Sequence, residues 1–365
     1  DMGLAYGTAC GEQVRAFVAQ RQRAAKVYLR ERGSRRDDLI VSLGARCLEL
    51  LRSWDHASWV EHQATAEGAR VDAVELYAAA NYTDIRDIVT YPLQAETLTP
   101  ALDQDHEQRA RAARSGTPDA EGCTAMLFPA RGHHGVVAAQ TWDLNPGDLE
   151  FVVALERRPL DGPHTWSVTC AGCPSLIGMN AHGLCLGTTN IKIRGARVGI
   201  PYLSLLHHAL TQSTRAQARQ TIERAPRAAA HTYWFADAAG GEDLECSATD
   251  TVHRDATAGA GLARTNHCLD HAHQSDEGEP PTASSRARLA RAAHAVAGNP
   301  SISEIKQLLG DRSDGVDSIN RYSEDQQGTS TNACVIAIPA DCELQVCRGS
   351  ADRGQWERLG FSTEA

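Results

Sequence analysis

Glu121-Gly122-Cys123-Thr124 stands at the seam of this 365-residue chain. On its N-terminal side, from Thr99 to Glu121, the sequence is charge and Ala broken by Ser115-Gly116-Thr117-Pro118, with no apolar period. That composition predicts an exposed, flexible connector. Farther upstream, apolar side chains recur at helical spacing: Val14, Phe17 and Val18; then Leu39, Ile40, Leu43, Cys47, Leu48 and Leu51; then Val71, Val74, Leu76 and Tyr77. Such spacing predicts amphipathic helices. Beyond Cys123 the pattern turns to short alternating runs that predict strands: Val136 to Leu144, Leu149 to Leu155, Thr165 to Cys170, Leu184 to Ile193, Thr232 to Asp237 and Ala333 to Ile338. Turns at Ala238-Ala239-Gly240-Gly241 and Pro339-Ala340-Asp341 join neighbouring strands as hairpins and imply antiparallel sheet. Helices are expected from about Tyr202 to Arg224 and from about Ser284 to Val296, then a short one opened by a capping box of Ser301 and Glu304 just after Pro300. Strands in runs, interrupted by helices, make an α+β chain of sheets layered with helices rather than a parallel βαβ wind. Its two parts are a helix-rich 1–122 and a strand-rich 123–365.

Composition narrows the function classes. Hydrophobic residues at 42% and charged ones at 22% are ordinary for a globular protein. A net charge of -10 argues against a nucleic-acid partner, which needs clustered Lys and Arg. The Arg-dense stretches Arg109 to Arg114 and Arg286 to Arg291 are short and interleaved with Ala, which reads as solvated helix faces. No apolar run approaches the roughly 20 residues that span a bilayer, and the start shows no basic-then-apolar signal peptide. Eleven cysteines, an odd number without regular spacing, suit a reducing cytoplasm. The expectation is a cytoplasmic protein with no membrane or nucleic-acid partner and no cofactor.

The seam also carries the chemistry. A Cys at this point can attack the carbonyl of the preceding residue, and Gly122 leaves room for the strained geometry of an N-to-S acyl shift. Hydrolysis of that thioester would leave Cys123 as a new N-terminus, whose own α-amine, with an ordinary pKa of about 7.7 to 8.0, can take the thiol proton. Asp143, in Ala139-Gln140-Thr141-Trp142-Asp143, falls at the end of the hairpin partner of the Cys123 strand, where it can hold that amine; read blandly, it is a turn residue before Asn145-Pro146-Gly147. Asn180, Asn190 and Asn266, in Gly178-Met179-Asn180-Ala181-His182-Gly183-Leu184, Thr188-Thr189-Asn190 and Arg264-Thr265-Asn266-His267, offer amides that stabilise an oxyanion without adding a titratable group. Side chains around Trp142, Met179 and Tyr322 are expected to shape the pocket.

Taken in order, the Gly-Cys-Thr, Gln-x-Trp-Asp, Gly-x-Asn-x-x-Gly and Thr-Asn-His motifs and a later Arg resemble the isopenicillin N acyltransferase family, the acyl-coenzyme A:6-aminopenicillanic acid acyltransferases. They are more distantly similar to choloylglycine hydrolases. Met2-Gly3-Leu4-Ala5-Tyr6-Gly7 resembles the opening of the family propeptide and Glu67-Gly68-Ala69 its later helix, so the likeness covers nearly the whole chain. The resemblance implies the αββα four-layer sandwich of N-terminal-nucleophile hydrolases. It implies self-cleavage at Gly122-Cys123 into an α subunit of about 1–122 and a β subunit of 123–365. Cys123 is then nucleophile and new N-terminus, Asp143 the partner of its amine, and Asn266 the oxyanion donor, with the backbone N–H of Asn190 as a second. Arg321 in Ser318-Ile319-Asn320-Arg321 matches the family's Ser-Ile-Cys-Arg, with Asn320 replacing the Cys. The reaction expected on this resemblance is cleavage or formation of an amide on a small acylated amine or peptide-like metabolite, through a thioester on Cys123, with a place in secondary metabolism. The expected partners are a small-molecule acyl-amide or acyl-thioester substrate and the chain's own two fragments as a heterodimer.

Three other readings stand beside this one. Cys170-Ala171-Gly172-Cys173 has half the spacing of a zinc site, with histidines at His133, His134, His267, His271 and His273 to complete it, although no second Cys-x-x-Cys exists. A papain-like pair would use His267 or His207 as base and would need its Cys at a helix N-terminus, whereas Cys123 opens a strand. The chain could also be a catalytically silent binding protein of the same fold that is never cleaved.

Overall fold

Two antiparallel sheets form the body of the fold. The first has the order β10-β1-β2-β11-β12-β13, built from β1 Thr124–Phe128, β2 Val137–Leu144, β10 Leu262–Arg264, β11 Ser330–Ile338, β12 Glu343–Arg348 and β13 Trp356–Gly360. The second runs in chain order: β3 Val152–Arg157, β4 Thr165–Cys170, β5 Ile177–Asn180, β6 Cys185–Asn190, β7 His231–Asp237, β8 Gly240–Cys246 and β9 Thr251–Ala256. The computed structural model describes residues 2–34, 36–93, 122–130, 135–256 and 260–361. The connector read at Thr99 to Glu121, with Arg109 to Arg114, lies outside the described residues, as do His133 and His134.

Alternation along the strands dictates how the layers stack. Met126, Phe128, Val137, Ala139, Cys334, Ile336 and Ile338 share one apolar cluster with Ala292, Val296, Ile305 and Leu309 of helices α10 (Ala283–Ala297) and α11 (Ile302–Leu309). Their strand neighbours Ala125, Leu127, Ala138, Val335 and Ala337 instead join Val168, Leu186, Trp234 and Leu244 of the second sheet. A two-residue period sends these sets to opposite faces. Gln140 stitches the sheets together, donating to the Thr188 carbonyl at 2.5 Å and accepting from the Trp234 indole at 2.5 Å. Helices α7 (Tyr202–Leu210) and α8 (Arg215–Arg224) pack on the second sheet, and the short α9 (His271–Ser275) follows β10. The layers are helix, sheet, sheet, helix: an α+β protein with the αββα sandwich.

The N-terminal part is helical, as its periodicity predicts: α1 Met2–Ala9, α2 Gly11–Glu31, α3 Leu39–Trp54, α4 His56–Ala69, α5 Ala73–Ala80 and α6 Tyr82–Thr90. α1 has no amphipathic stripe because it packs through backbone rather than side chains. A Cβ on Gly7 would lie 2.0 Å from the Thr65 carbonyl oxygen of α4, and one on Gly68 would lie 2.4 Å from that of Leu4. Buried polar contacts tie this helical part to the second sheet. Tyr6 Oη accepts the Gly172 N–H at 2.8 Å, Arg21 meets Asp148 at 2.7 Å, and Arg157 meets Glu61 at 2.7 Å. Among the described residues no helix is long and apolar enough to cross a membrane.

Some boundaries differ from the sequence reading. The run from Leu149 opens inside a 3-10 turn, Pro146–Phe151, so its strand starts at Val152. The single helix expected from Tyr202 to Arg224 is two, because Thr214 adopts an extended backbone and caps α8 by accepting the Gln217 N–H. Short strands β5, β9 and β13 were absent from the pattern; β9 and β13 are half exposed and lack an apolar alternation.

Gly7→Val forces α1 away from α4, and the expected cost is about 1–3 kcal/mol of overpacking. Urea unfolding of the variant beside the parent measures it; an unchanged midpoint would show that the two helices are not held at backbone contact.

Candidate active site

Pairing of β1 with β2 sets Thr124 opposite Thr141, so Cys123, one residue before β1, lies across from Trp142-Asp143. Cys123 is 7% exposed, and its Sγ lies 3.7 Å from the Asp143 carbonyl oxygen. Gly122 is buried too: a Cβ there would come within 2.8 Å of Arg321 Cδ and Nη1 and of Asp143 Cβ. Gly122 thus packs against the side chains of Asp143 and Arg321, which would have to shift to admit a Cβ.

Asp143 is wholly buried. Burial pushes its carboxyl up to about 6, against the pull of the Arg288 and Arg321 guanidiniums and of hydrogen bonds from Thr331 and Thr141. Thr141 Oγ1 donates to its Oδ2 at 3.4 Å, while Oδ1 has no hydrogen-bond partner among the described residues.

Arg288 on α10 is the organising cation. Its Nη1 donates to the Cys123 carbonyl at 2.6 Å and to Thr124 Oγ1 at 3.0 Å, and its Nη2 to Asn266 Oδ1 at 3.0 Å. Burial pulls this guanidinium down to about 10, so it remains charged at neutral pH. The sequence reading of Arg286 to Arg291 as a solvated face is corrected here: Arg286 and Arg291 are exposed, but Arg288 is not. A signal existed, since Ser284, Arg288, Ala292 and Val296 fall four residues apart on the buried face of α10. Ser284 Oγ accepts from both Arg288 Nε at 3.2 Å and Arg321 Nη2 at 3.2 Å, coupling the two arginines.

Asn266 follows β10 in a tightly held loop. Arg264 grips Asp243 through Nε at 3.0 Å and Nη2 at 2.9 Å, and Ser285 Oγ accepts the Asn266 N–H at 3.0 Å. With Oδ1 facing Arg288, the Asn266 amide nitrogen points at the Asn190 carbonyl, 3.0 Å away. Cys123, Asp143, Asn190, Asn266 and Arg321 therefore gather in one place. Asn180 does not; it caps the β5 turn, its amide on the Leu210 and Gln212 carbonyls at 2.8 and 2.7 Å.

A narrow cavity of about 30 Å³ opens on Cys123, lined also by Thr83, Trp142, Asp143, Leu144, Leu176, Thr188, Asn190, Tyr202 and His231. Of the three residues expected to shape the pocket, Trp142 is in this lining. Met179 is buried in the second sheet, and Tyr322 bonds Asp352 and lies between the guanidiniums of Arg312 and Arg353; neither lines the cavity. Cys170 and Cys173 flank a turn closed by Tyr6, while His267 bonds Ser285 at 2.7 Å and His273 bonds Glu245 at 3.1 Å. His207 faces Ser175 and Glu61. Among the described residues, the group able to converge on a metal ion is Glu242, His253 and Asp255, on β8 and β9 rather than at this site.

A cysteine heading a strand of an αββα sandwich, with a buried carboxylate and an asparagine amide about it, is the arrangement of an N-terminal-nucleophile hydrolase. The family profile of acyl-coenzyme A:6-aminopenicillanic acid acyltransferases matches residues 130–353, more than half of the chain, and the chain belongs to that family. Its chemistry is acyl transfer or amide hydrolysis. Asp143, Asn190, Asn266, Arg288 and Arg321 lie inside the matched stretch and Cys123 just before it. The fold is similar to that of penicillin V acylase from Agrobacterium tumefaciens, at 13% identity and a TM-score of 0.44 over 66% of this chain and 87% of that one. It is also similar to a variant of conjugated bile acid hydrolase from Clostridium perfringens, at 11% identity and a TM-score of 0.44 over 67% and 93%. A third likeness is to an N-acylethanolamine-hydrolyzing acid amidase ortholog from Caenorhabditis elegans, at 11% identity and a TM-score of 0.43 over 66% and 100%. Comparison with the curated proteins finds no match.

In a Cys123→Ala protein, the Asp143 carboxyl should titrate near 6. Replacing Arg288 by Gln removes the foremost charge that favours its ionised form, so the midpoint should rise. The difference between carbon-13 carboxyl titrations of parent and Asp143→Asn reads both; a midpoint in the ordinary carboxylate range would contradict the burial described here.

Proposed function

We propose that the protein is a self-processing N-terminal cysteine amidohydrolase or acyltransferase acting on a small acylated amine or peptide-like metabolite. One observation carries the reading: a wholly buried carboxylate, with Oδ1 unpartnered among the described residues, packs against the Gly122-Cys123 peptide. A primary amine freed at Cys123 would supply the missing donor and a compensating charge.

In maturation the Cys123 sulfur attacks the Gly122 carbonyl. The C–N bond breaks as the C–S bond forms, the nitrogen leaves as the Cys123 amine carrying a proton, and water hydrolyses the thioester to a Gly122 carboxylate and the free thiol. In turnover the α-amine takes the thiol proton while sulfur attacks the substrate amide. The Asn266 amide stabilises the oxyanion, with the Asn190 N–H as second donor. Arg288 positions both reactants by holding the Cys123 carbonyl and turning the Asn266 oxygen away from the reacting centre. Protonation expels the amine product, and water or a second amine resolves the thioester on Cys123. Arg321, beside Gly122 and linked to Arg288 through Ser284, braces the pair.

The 1–122 fragment stays bound after cleavage on this reading, because Tyr6, Arg21 and Glu61 hold it to the second sheet through buried contacts. The cytoplasm fits cysteines that form no disulfide among the described residues, and a place in secondary metabolism, antibiotic biosynthesis included, fits the family.

Intact-mass analysis tests the proposal. Two polypeptides are expected, one beginning at Cys123, and incubation with acyl-amide or acyl-thioester panels should load the acyl group on that fragment. Cys123→Ala should remain one chain without turnover, and Asn266→Ala should lose about two to three orders of magnitude in kcat. Full turnover by an unbroken chain would exclude the mechanism and favour neither fragment as the enzyme.

A further inference from the structure

We propose that His231 is an acyl-recognition residue: its Nδ1 accepts a hydrogen bond from an N–H or O–H on the substrate's acyl group, so that N-acylaminoacyl donors are preferred over plain alkanoyl ones. The inference rests on Cys123 being the nucleophile.

His231 opens β7 directly across from Asn190 of β6, and cross-strand partners share a face. Thr188 lies two residues back along β6 on the same face, and all three line the cavity that holds Cys123. The His231 side chain is 1% exposed, with Nε2 2.6 Å from Asp84 Oδ1. Asp84 Oδ2 accepts the Tyr202 N–H at 2.9 Å. Each carboxylate oxygen thus receives a hydrogen bond, so Nε2 carries a proton, and in the neutral imidazole Nδ1 is then the acceptor. Tyr202 stacks on the ring at 4.4 Å between centroids and fixes its plane.

Nδ1 has no hydrogen-bond partner among the described residues. A buried acceptor with no partner among the described residues can take a donor from a bound molecule. The Thr188 hydroxyl is already spent on the Thr232 carbonyl at 2.6 Å. Trp142, Leu144, Leu176 and Tyr202 make much of the remaining lining apolar. Such a site suits an acyl body that is largely apolar but carries a donor a few bonds from the reacting carbonyl. The orienting carboxylate comes from α6 in the N-terminal part and the nucleophile from the start of β1, so both parts of the chain set the acyl preference.

The test uses the purified protein and p-nitroanilides of N-acetylglycine and levulinic acid, whose acyl groups differ only in N–H against CH2. Wild type should favour N-acetylglycyl in kcat/KM by about ten-fold or more. In Asp84→Asn the Tyr202 N–H keeps the amide oxygen in place and turns the NH2 toward Nε2. The imidazole proton then moves to Nδ1, and the ratio should fall to unity or below. His231→Gln, which keeps an acceptor, should retain part of the preference that His231→Leu loses. Equal rates for the two substrates in wild type, or a preference surviving both Asp84→Asn and His231→Leu, would overturn the assignment. Absence of any Cys123 thioester with either compound would count instead against the nucleophile. Nitrogen-15 spectra of wild-type His231 decide the contact even then: the Nδ1 resonance should move with N-acetylglycinamide and not with levulinamide, and no movement refutes the contact.

Discussion

A guanidinium that is fully enclosed must be matched by charge and by acceptors in the right plane, and Arg288 is the group whose matching shapes this site. Its planar fork reaches the Cys123 carbonyl, Thr124 Oγ1 and Asn266 Oδ1, and its charge faces the Asp143 carboxyl. A buried cation deprived of these partners would be severely destabilising, so the geometry is over-determined. α10 cannot slide on the first sheet without unpairing it. The start of β1, the loop after β10 and the end of β2 are consequently locked to one helix, and Cys123 is fixed by the same guanidinium that orients the Asn266 amide.

The environment of Asp143 follows from that lock. Two arginines pull its carboxyl toward ionisation, and burial pushes harder in the other direction. With Gly122 pressed against it, the carboxyl lies beside the peptide whose cleavage would introduce an amine.

The second constraint is the junction of the helical part with the sandwich. Tyr6, Arg21, Glu61 and Asp84 all make buried polar contacts with the second sheet or the segments that flank it. Between these contacts, α1 and α4 approach so closely that glycine is required on both. This packing brings Thr83 into the wall of the cavity beside Cys123 and sets Asp84 behind His231, which also lines it.

Local pattern alone determined the α+β class, the hairpin relation of Cys123 to Asp143 and the helical N-terminal part, because periodicity, turn chemistry and ordered motifs are written in consecutive residues. It did not reveal Arg288, since an arginine among alanines and other arginines looks solvated until the helix is docked and one face is buried. Nor did it separate Trp142, which reaches the cavity, from Met179 and Tyr322, which do not. The Asp84–His231 pair was invisible for the same reason: its members are 147 positions apart. Nothing local couples residues so distant, and only the closure of α6 onto β7 brings their side chains within hydrogen-bonding reach.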